Sequence, residues 1–341
     1  MSEQPRVSVV VLNFNTASLL EKFLPHLLQT TYPNTEFVVA DNGSSDNSIA
    51  LVQEQFPSVR VIALETNLGF AGGYNEALTH IHSEYIVLLN SDVEVTPNWL
   101  EPMMDLMVNQ PEIGAVQPKI LDYKNRHQFE YAGASGGYVD RWIYPFCRGR
   151  LFDVTEEDHG QYNEAIPVFW ATGAALLIRN QLYRGLGGLD REFFAHMEEI
   201  DLCWRLQNAG HEIWCCPSAV VYHVGGGTLS AQNSRKTFLN FRNNLALIVK
   251  NAHASEVWMI FIVRLILDGI AGMVHLKNGR ANLTWAIVRA HFAFYVRIPH
   301  WLRKRWSSKK KHHLHDLKGV YPRSVVRDFF LRGKRTFSEI L

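Results

Sequence analysis

The residues best suited to chemistry lie in short polar stretches that each follow an apolar run. Asn13-Phe14-Asn15-Thr16 follows Val7–Leu12, and Asp41-Asn42-Gly43-Ser44-Ser45-Asp46 follows Phe37–Ala40. Glu65 to Gly73, with Asn67 and Gly69, follows Val59–Leu64, and Asn90-Ser91-Asp92 follows Tyr85–Leu89. A carboxylate placed like Asp41 can accept from a ribose hydroxyl or a pyrimidine ring N–H, or it can simply shape the Asp-Asn-Gly turn. Asp92 ends a strongly apolar run, where a hard oxygen ligand suits a divalent cation bridging a diphosphate, although a plain turn would read the same. A second group runs from Phe193 to Arg205. Glu198 and Glu199, beside the aromatic pair Phe193-Phe194, have the surroundings that raise a carboxyl pKa and make a general base. Asp201 reads as structural, paired one turn on with Arg205. His223, ahead of the glycines 225–227, is either a loop residue or a metal ligand.

The four apolar runs that must position these groups are short, mostly β-branched and apolar on both faces, as strands covered on both sides should be. Helical patterns at Ala17–Gln29, Asn47–Phe56 and Ala71–Ile81 separate them, the second expected to be capped by Ser44, Ser45 or Asp46. This alternation predicts a parallel, doubly wound sheet with ligands at the carboxyl ends of its strands. The four polar tips then share one sheet edge, the arrangement of a nucleotide site. The dinucleotide and phosphate-loop readings are demoted, because the first turn lacks G-x-G-x-x-G and no G-x-x-x-x-G-K-[ST] loop is present. Further on, a helix is expected over Pro97–Val108, capped by Thr96, followed by strands and loops from Ile113 to Leu177. A helix over Met197–Asn208 and two strands near Ile213–Cys216 and Ala219–His223 complete residues 1–230, with a boundary near Ser230 and a helical, basic region at 231–341.

The 341 residues are 47% hydrophobic and 20% charged, enough for a large core and unlike a disordered chain. Four cysteines without a C-x-x-C pair exclude a zinc ribbon and a thioredoxin motif and suit reduced thiols. The start lacks the pattern of a signal peptide, so the expected location is cytoplasmic, peripheral on the inner face of the plasma membrane. The net charge of +1 hides an asymmetry: no acidic residue lies between Asp268 and Asp316, where Lys and Arg contribute +10. Arg264 and Asp268 interrupt the apolar run that starts at Val257, so no uncharged run reaches the ~20 residues of a bilayer span. Amphipathic helix with Trp258, Trp285, Trp301 and Trp306, beside the basic run Trp301–Lys311, suits the headgroups of an anionic membrane. That surface is the expected partner of residues 257–311; packing on protein is the alternative. No nucleic-acid-binding module is recognised, so no nucleic acid is expected. His312, His313 and His315 read as part of the basic tail.

In order along the chain, Val7–Asn15, Val39–Ser48, Asn67–Asn75, Tyr85–Val93, Phe169–Arg179, Phe193–Gly210 and Val220–Gly227 resemble the motifs of family 2 glycosyltransferases. The nearest branch is the rhamnosyltransferase-like one. The resemblance implies an α/β fold, a GT-A type Rossmann-like and mostly parallel sheet, here with a C-terminal helical extension. It implies that Asp41 recognises the N3–H of uracil or thymine, with Asn13, Asn15, Asn67 and Gly69 near the nucleotide. Asn90-Ser91-Asp92 stands in the place of the D-x-D metal motif, with Asp92 as ligand of Mg²⁺ or Mn²⁺ and His223 joining it. Glu199 takes the place of the catalytic base with Glu198 beside it, and Trp170, Thr172 and Gly173 line the donor or acceptor pocket. Two departures stand out: Asn90 removes one charge from the metal motif, and Glu199 is a methylene longer than the commoner aspartate. The implied activity is inverting, metal-dependent transfer from a nucleoside-diphosphate sugar, UDP- or dTDP-linked and including dTDP-rhamnose, to a glycan or lipid-linked acceptor in cell-surface polysaccharide synthesis. A nucleotidyltransferase and a degenerate sugar-nucleotide-binding protein are the alternatives; the first lacks its glycine- and arginine-rich loop at Asn13–Ser18, and Asn90 keeps the second open.

Overall fold

The computed structural model of the chain describes residues 4–225, 233–307 and 311–341; Gly226, Gly227, Lys309, Lys310 and the boundary expected near Ser230 lie outside them. The first half opens with the expected alternation of β1 (Val7–Asn13), α1 (Ala17–Leu27), β2 (Thr35–Asp41), α2 (Ser48–Gln55), β3 (Arg60–Ala63), α3 (Gly69–Ala77) and β4 (Tyr85–Asn90). Next come β5 (Val93–Val95), α4 (Leu100–Asn109), β6 (Ile113–Asp122) and the short strands β7 (Gly137–Asp140), β8 (Pro145–Cys147), β9 (Arg150–Leu151) and β10 (Val154–Thr155). Then follow β11 (Ile166–Val168), β12 (Ala175–Arg179), α5 (Asn180–Gly185), α6 (Glu198–Asn208) and β13 (Glu212–His223). The C-terminal part holds α7 (Ser234–Asn251), α8 (Val257–Lys277), α9 (Ala281–Val296), α10 (Ile298–Ser307), β14 (Val320–Tyr321) and α11 (Val325–Phe330).

Nine strands form the main sheet in the order β11-β13-β6-β12-β4-β1-β2-β3, with β5 added on β13. Strands β1 to β4, β6 and β13 run one way, and β5, β11 and β12 run against them. The continuous apolar runs have a direct cause. Successive side chains point to opposite faces, so Val10, Val38 and Leu88 fill one core while Val9, Val39 and Val87 fill the other. The shared direction brings Asn13, Asp41 and Asn90 to one end of neighbouring strands, since Asn13 pairs with Asp41 and Leu12 with Asn90 in the ladder.

Three expectations need local correction. Helix α4 starts at Leu100 and not at Pro97, because the Thr96 hydroxyl donates to the Val220 carbonyl and Pro97 and Asn98 form a turn. The two strands expected at 213–223 are one strand, β13, irregular between Cys216 and Val220. Helix α2 begins after Asn47, and Asp46 satisfies its free end by accepting from the Ser48 N–H at 3.1 Å.

The C-terminal helices pack on the sheet domain. Strand β14 pairs with β7 in a second, five-stranded sheet, and the Asn244 side chain donates to the Ile143 carbonyl. Trp301, expected on an outward amphipathic face, is fully buried against Phe193. Arg264 and Asp268 also turn inward, 3.2 Å apart, with the guanidinium over the Tyr144 ring. Their inward turn leaves the outer face of α8 apolar.

Candidate active site

Asp41 ends β2 fully buried, with each carboxylate oxygen already holding one donor. The Asn13 amide reaches Oδ1 at 2.7 Å and the Ser44 N–H reaches Oδ2 at 2.9 Å. Asp41 thus shapes its turn and keeps lone pairs for a further donor. Asn13, expected at the nucleotide, has no exposed surface; its amide also reaches Ser44 Oγ and its carbonyl accepts from Thr16 Oγ1. It is the support of Asp41. Asn15 is exposed, with a φ of 54°, and its carbonyl oxygen accepts from the N–H groups of Ser45 and Asp46, tying the first two tips together.

Asn67 is exposed, and its carbonyl oxygen accepts from the Gly69 N–H at 2.8 Å and the Asn42 amide at 3.1 Å. Gly69, also expected near the nucleotide, is buried with φ +72°, and a Cβ there would lie 2.8 Å from the Phe194 ring. Its lack of a side chain serves the approach of the Phe193–Met197 loop, and the Phe70 N–H donates to the Phe194 carbonyl.

At the fourth tip, Ser91 Oγ accepts from Thr16 Oγ1 at 3.0 Å, and Asp92 Oδ1 lies 3.1 Å from His223 Nε2. The antiparallel pairing of β5 with the end of β13 sets His223 opposite Val93, and the Val224 N–H donates to the Asp92 carbonyl. On its other side, His223 Nδ1 stands 3.3 Å from Glu130 Oε2. Burial opposes a charge on this imidazole, but the two carboxylates outweigh it and hold its pKa up to about 10. Burial likewise opposes ionisation of Asp92, and the hydrogen bond from His223 outweighs it, keeping Asp92 below its ordinary value. Glu130 escaped sequence reasoning because it lies in the irregular stretch after β6, with no periodicity to mark it.

Glu198 and Glu199 open α6, and each has a buried carboxylate oxygen with no partner. Burial raises Glu199 to about 7, while burial and then the neighbouring Glu199 charge push Glu198 well above the usual range. Asp201 has the expected structural role, bound by Arg205, Lys250 and Asn251 at 2.7 to 2.8 Å. Gly173 links Glu199 to the strand tips. A Cβ on Gly173 would lie 2.9 Å from Phe70 and 3.9 Å from the Glu199 Cβ, and the next residue, Ala174, accepts the Asn90 N–H at 3.0 Å. Trp170 and Thr172 do not line an opening. Trp170 is buried against Gly137 with Nε1 on the Tyr138 carbonyl; Thr172 is buried, its N–H on Gln117 and its hydroxyl on the Ala174 N–H.

Four likenesses accompany this geometry. Residues 8–169 match the family model described as glycosyl transferase family 2. The N-acetylglucosaminyl-diphospho-decaprenol L-rhamnosyltransferase of Mycobacterium tuberculosis is 26% identical over 231 residues, covering 63% of this chain and 75% of the relative. Among solved structures, GalNAc-T7 with UDP, GalNAc and Mn²⁺ superposes with a TM-score of 0.57 at 16% identity, covering 74% of this chain and 49% of that one. The mannosyltransferase PcManGT from Pyrobaculum calidifontis, in complex with GDP-Man and Mn²⁺, gives 0.53 at 14% identity, covering 86% and 88%. The fold is the GT-A one, with helices appended at the C-terminus.

Proposed function

Through residues 8–169 the chain belongs to glycosyl transferase family 2, and on that premise we propose that it transfers a sugar with inversion from a UDP- or dTDP-linked donor to a glycan or lipid-linked acceptor in cell-surface polysaccharide synthesis. That the chain is a glycosyltransferase stands on the family. dTDP-rhamnose and a lipid-linked acceptor come first as substrates, from the likeness to the decaprenol-linked rhamnosyltransferase. The observation that carries the reading is the convergence of Glu199 and the Asn90–Asp92 tip on the two sides of Gly173 and Ala174.

Asp41 accepts a ring N–H of the base, held for it by Asn13, while Asn15 and Asn67 frame the nucleotide loops. Asp92 and His223 would hold Mg²⁺ or Mn²⁺, with His223 giving up the Nε2 proton it shares with Asp92 and keeping its Nδ1 proton toward Glu130. Their ligand atoms stand 3.1 Å apart, and neighbouring ligands of an octahedral ion stand about 3 Å apart. When bound, the ion supplies charge neutralisation to the departing diphosphate. Burial and the neighbouring charge hold Glu198 toward its protonated form, and Glu199 is the member of the pair whose Cβ stands beside Gly173, so Glu199 takes the proton from the acceptor hydroxyl. Transfer assays and thermal shifts with UDP-, dTDP- and GDP-sugars, each with and without Mn²⁺, test the reading; no response to any of them contradicts it.

In this scheme Glu130 orients His223 as the outer carboxylate of a carboxylate–histidine–metal arrangement. Glu130→Gln is expected to weaken Mn²⁺ binding by about 10- to 100-fold, read by isothermal titration, with nucleotide binding in the absence of metal unchanged. Equal Mn²⁺ affinity in the two proteins removes that role.

The reading also gives the enzyme an anionic membrane surface as partner, at the inner face of the plasma membrane. Helix α8, with 21 residues, is the one helix among those described that is long and apolar enough to cross a membrane by length and composition. Its buried Arg264–Asp268 pair favours lying along the protein body instead. The outer face offers Trp258, Ile262 and Met273, continued on α9 by Trp285 and Phe292, all more than half exposed. Exposed Lys277, Arg280 and Arg289 rim it, the charge complement of anionic headgroups. All four cysteines are buried and unpaired, which suits the cytoplasm. Vesicles with phosphatidylglycerol should sediment the protein in a salt-sensitive way, and Ile262→Glu with Phe292→Glu should abolish it; no salt-sensitive binding contradicts the assignment.

A further inference from the structure

Helix α7 begins beyond the family-matched segment and beyond residue 230, yet it grips the stretch that delivers Glu198 and Glu199. Within that stretch Phe194, His196 and Met197 all take positive φ, at 66°, 69° and 74°. Non-glycine residues hold such conformations only where their surroundings over-determine them.

The over-determination comes from two adjacent residues of α7. Asn243 is fully buried, and its Nδ2 lies 3.0, 3.0 and 2.7 Å from the carbonyl oxygens of Phe193, Ala195 and His196. Arg242 donates to Asn243 Oδ1 through Nε and Nη2 at 2.9 and 2.6 Å. A guanidinium has no acceptor, so the amide oxygen must face it and the NH₂ group must face the loop. Arg242 Nη2 also reaches the carbonyls of Glu192 and Phe193 at 3.0 and 3.1 Å. Two turns further along, Lys250 bridges Asp190 and Asp201 at 2.7 and 2.8 Å, and Asn251 donates to Asp201 at 2.7 Å. One face of α7 thus holds the entrance, the middle and the exit of residues 190–201.

We propose that α7 is the template of the glutamate-bearing loop and that Asn243 is a positioning residue for sugar transfer, its amide hydrogens fixing the left-handed turn that aims Glu199. Asn243 acts through Glu199 and does not touch the substrates. The proposal rests on the role given to Glu199 above. A loop loosened at three carbonyls moves its carboxylate by an ångström or more, and a misplacement of that size costs transfer but not nucleotide binding.

Two variants separate positioning from packing. Asn243→Ala removes the amide; Asn243→Asp keeps the shape and the Arg242 contact but replaces the NH₂ donor with an oxygen. Both variants should bind UDP with Mn²⁺ about as tightly as the parent, keep the donor KM within about threefold, and lose about 10²-fold in kcat. Backbone hydrogen exchange at residues 193–199 should speed up about tenfold or more, with β1 and β2 unchanged. A folded Asn243→Asp with kcat within about threefold of the parent overturns the proposal, as does unchanged exchange at 193–199 in that variant. Exchange needs no turnover: a parent protein that transfers no sugar contradicts the proposed function, and the exchange result still decides whether Asn243 holds the loop.

Discussion

Glu199→Gln should leave a folded protein that binds its donor and turns over about 10²–10⁴-fold more slowly. Glutamine keeps the volume of the side chain and cannot take a proton. The choice of Glu199 over Glu198 follows from their surroundings. Glu199 stands beside Gly173 and burial raises it to about 7, whereas burial and then the repulsion of Glu199 push Glu198 well above the usual range. In the parent, kcat should therefore rise with pH through about 7 and level off above it. Stability should move the opposite way. A carboxyl raised in the folded state contributes stability that is fully present below its ordinary value of 4.5 and is lost as pH rises through about 7. Since the substituted amide never ionises, the variant should gain on the parent in Tm at pH 8 and not at pH 4. Undiminished kcat removes Glu199 as base; a Tm gain that does not grow with pH shows the carboxyl is not buried as described.

Asp92→Ala should have the second large effect. Because Asn90 is neutral, Asp92 is the only carboxylate of its tip, and its loss leaves His223 facing Glu130 alone. Charge stabilisation of a leaving diphosphate by a held cation amounts to several kcal/mol, so kcat/KM should fall by about 10²-fold or more. Mn²⁺ binding, followed by electron paramagnetic resonance, should weaken in parallel. Transfer near the parent's rate would take the cation away from Asp92.

Much of this site could be read from the chain. The four strands declared themselves by apolar runs that feed two cores, and their shared direction put Asp41 and Asp92 at one edge. What stayed hidden was which polar side chains face inward. Asn13, Thr172 and Trp170 have the composition of ligand contacts, but their side-chain polar atoms are filled by Asp41, the Ala174 N–H and the Tyr138 carbonyl. Residue type does not distinguish a group that meets a ligand from one that holds the group that does. Glu130 and Asn243 were hidden by distance. Glu130 meets His223 through the pairing of β6 with β13, and Asn243 meets Phe193 through helix packing, so neither leaves a local pattern. The basic C-terminal stretch misled in one respect: its tryptophans suggested one outward face, yet Trp301 serves the core beside Phe193.

A crystal structure with UDP and Mn²⁺ tests most directly whether one sheet edge gathers the base-binding carboxylate, the cation ligands and the proton acceptor. The expected complex has the uracil ring at Asp41, the ion on Asp92 and His223, and the terminal phosphate directed toward Glu199. UDP bound away from that edge, for example in the cavity of about 790 Å³ lined by Asp190, Arg205 and Lys250, with Asp41 and Asp92 untouched, would contradict the account.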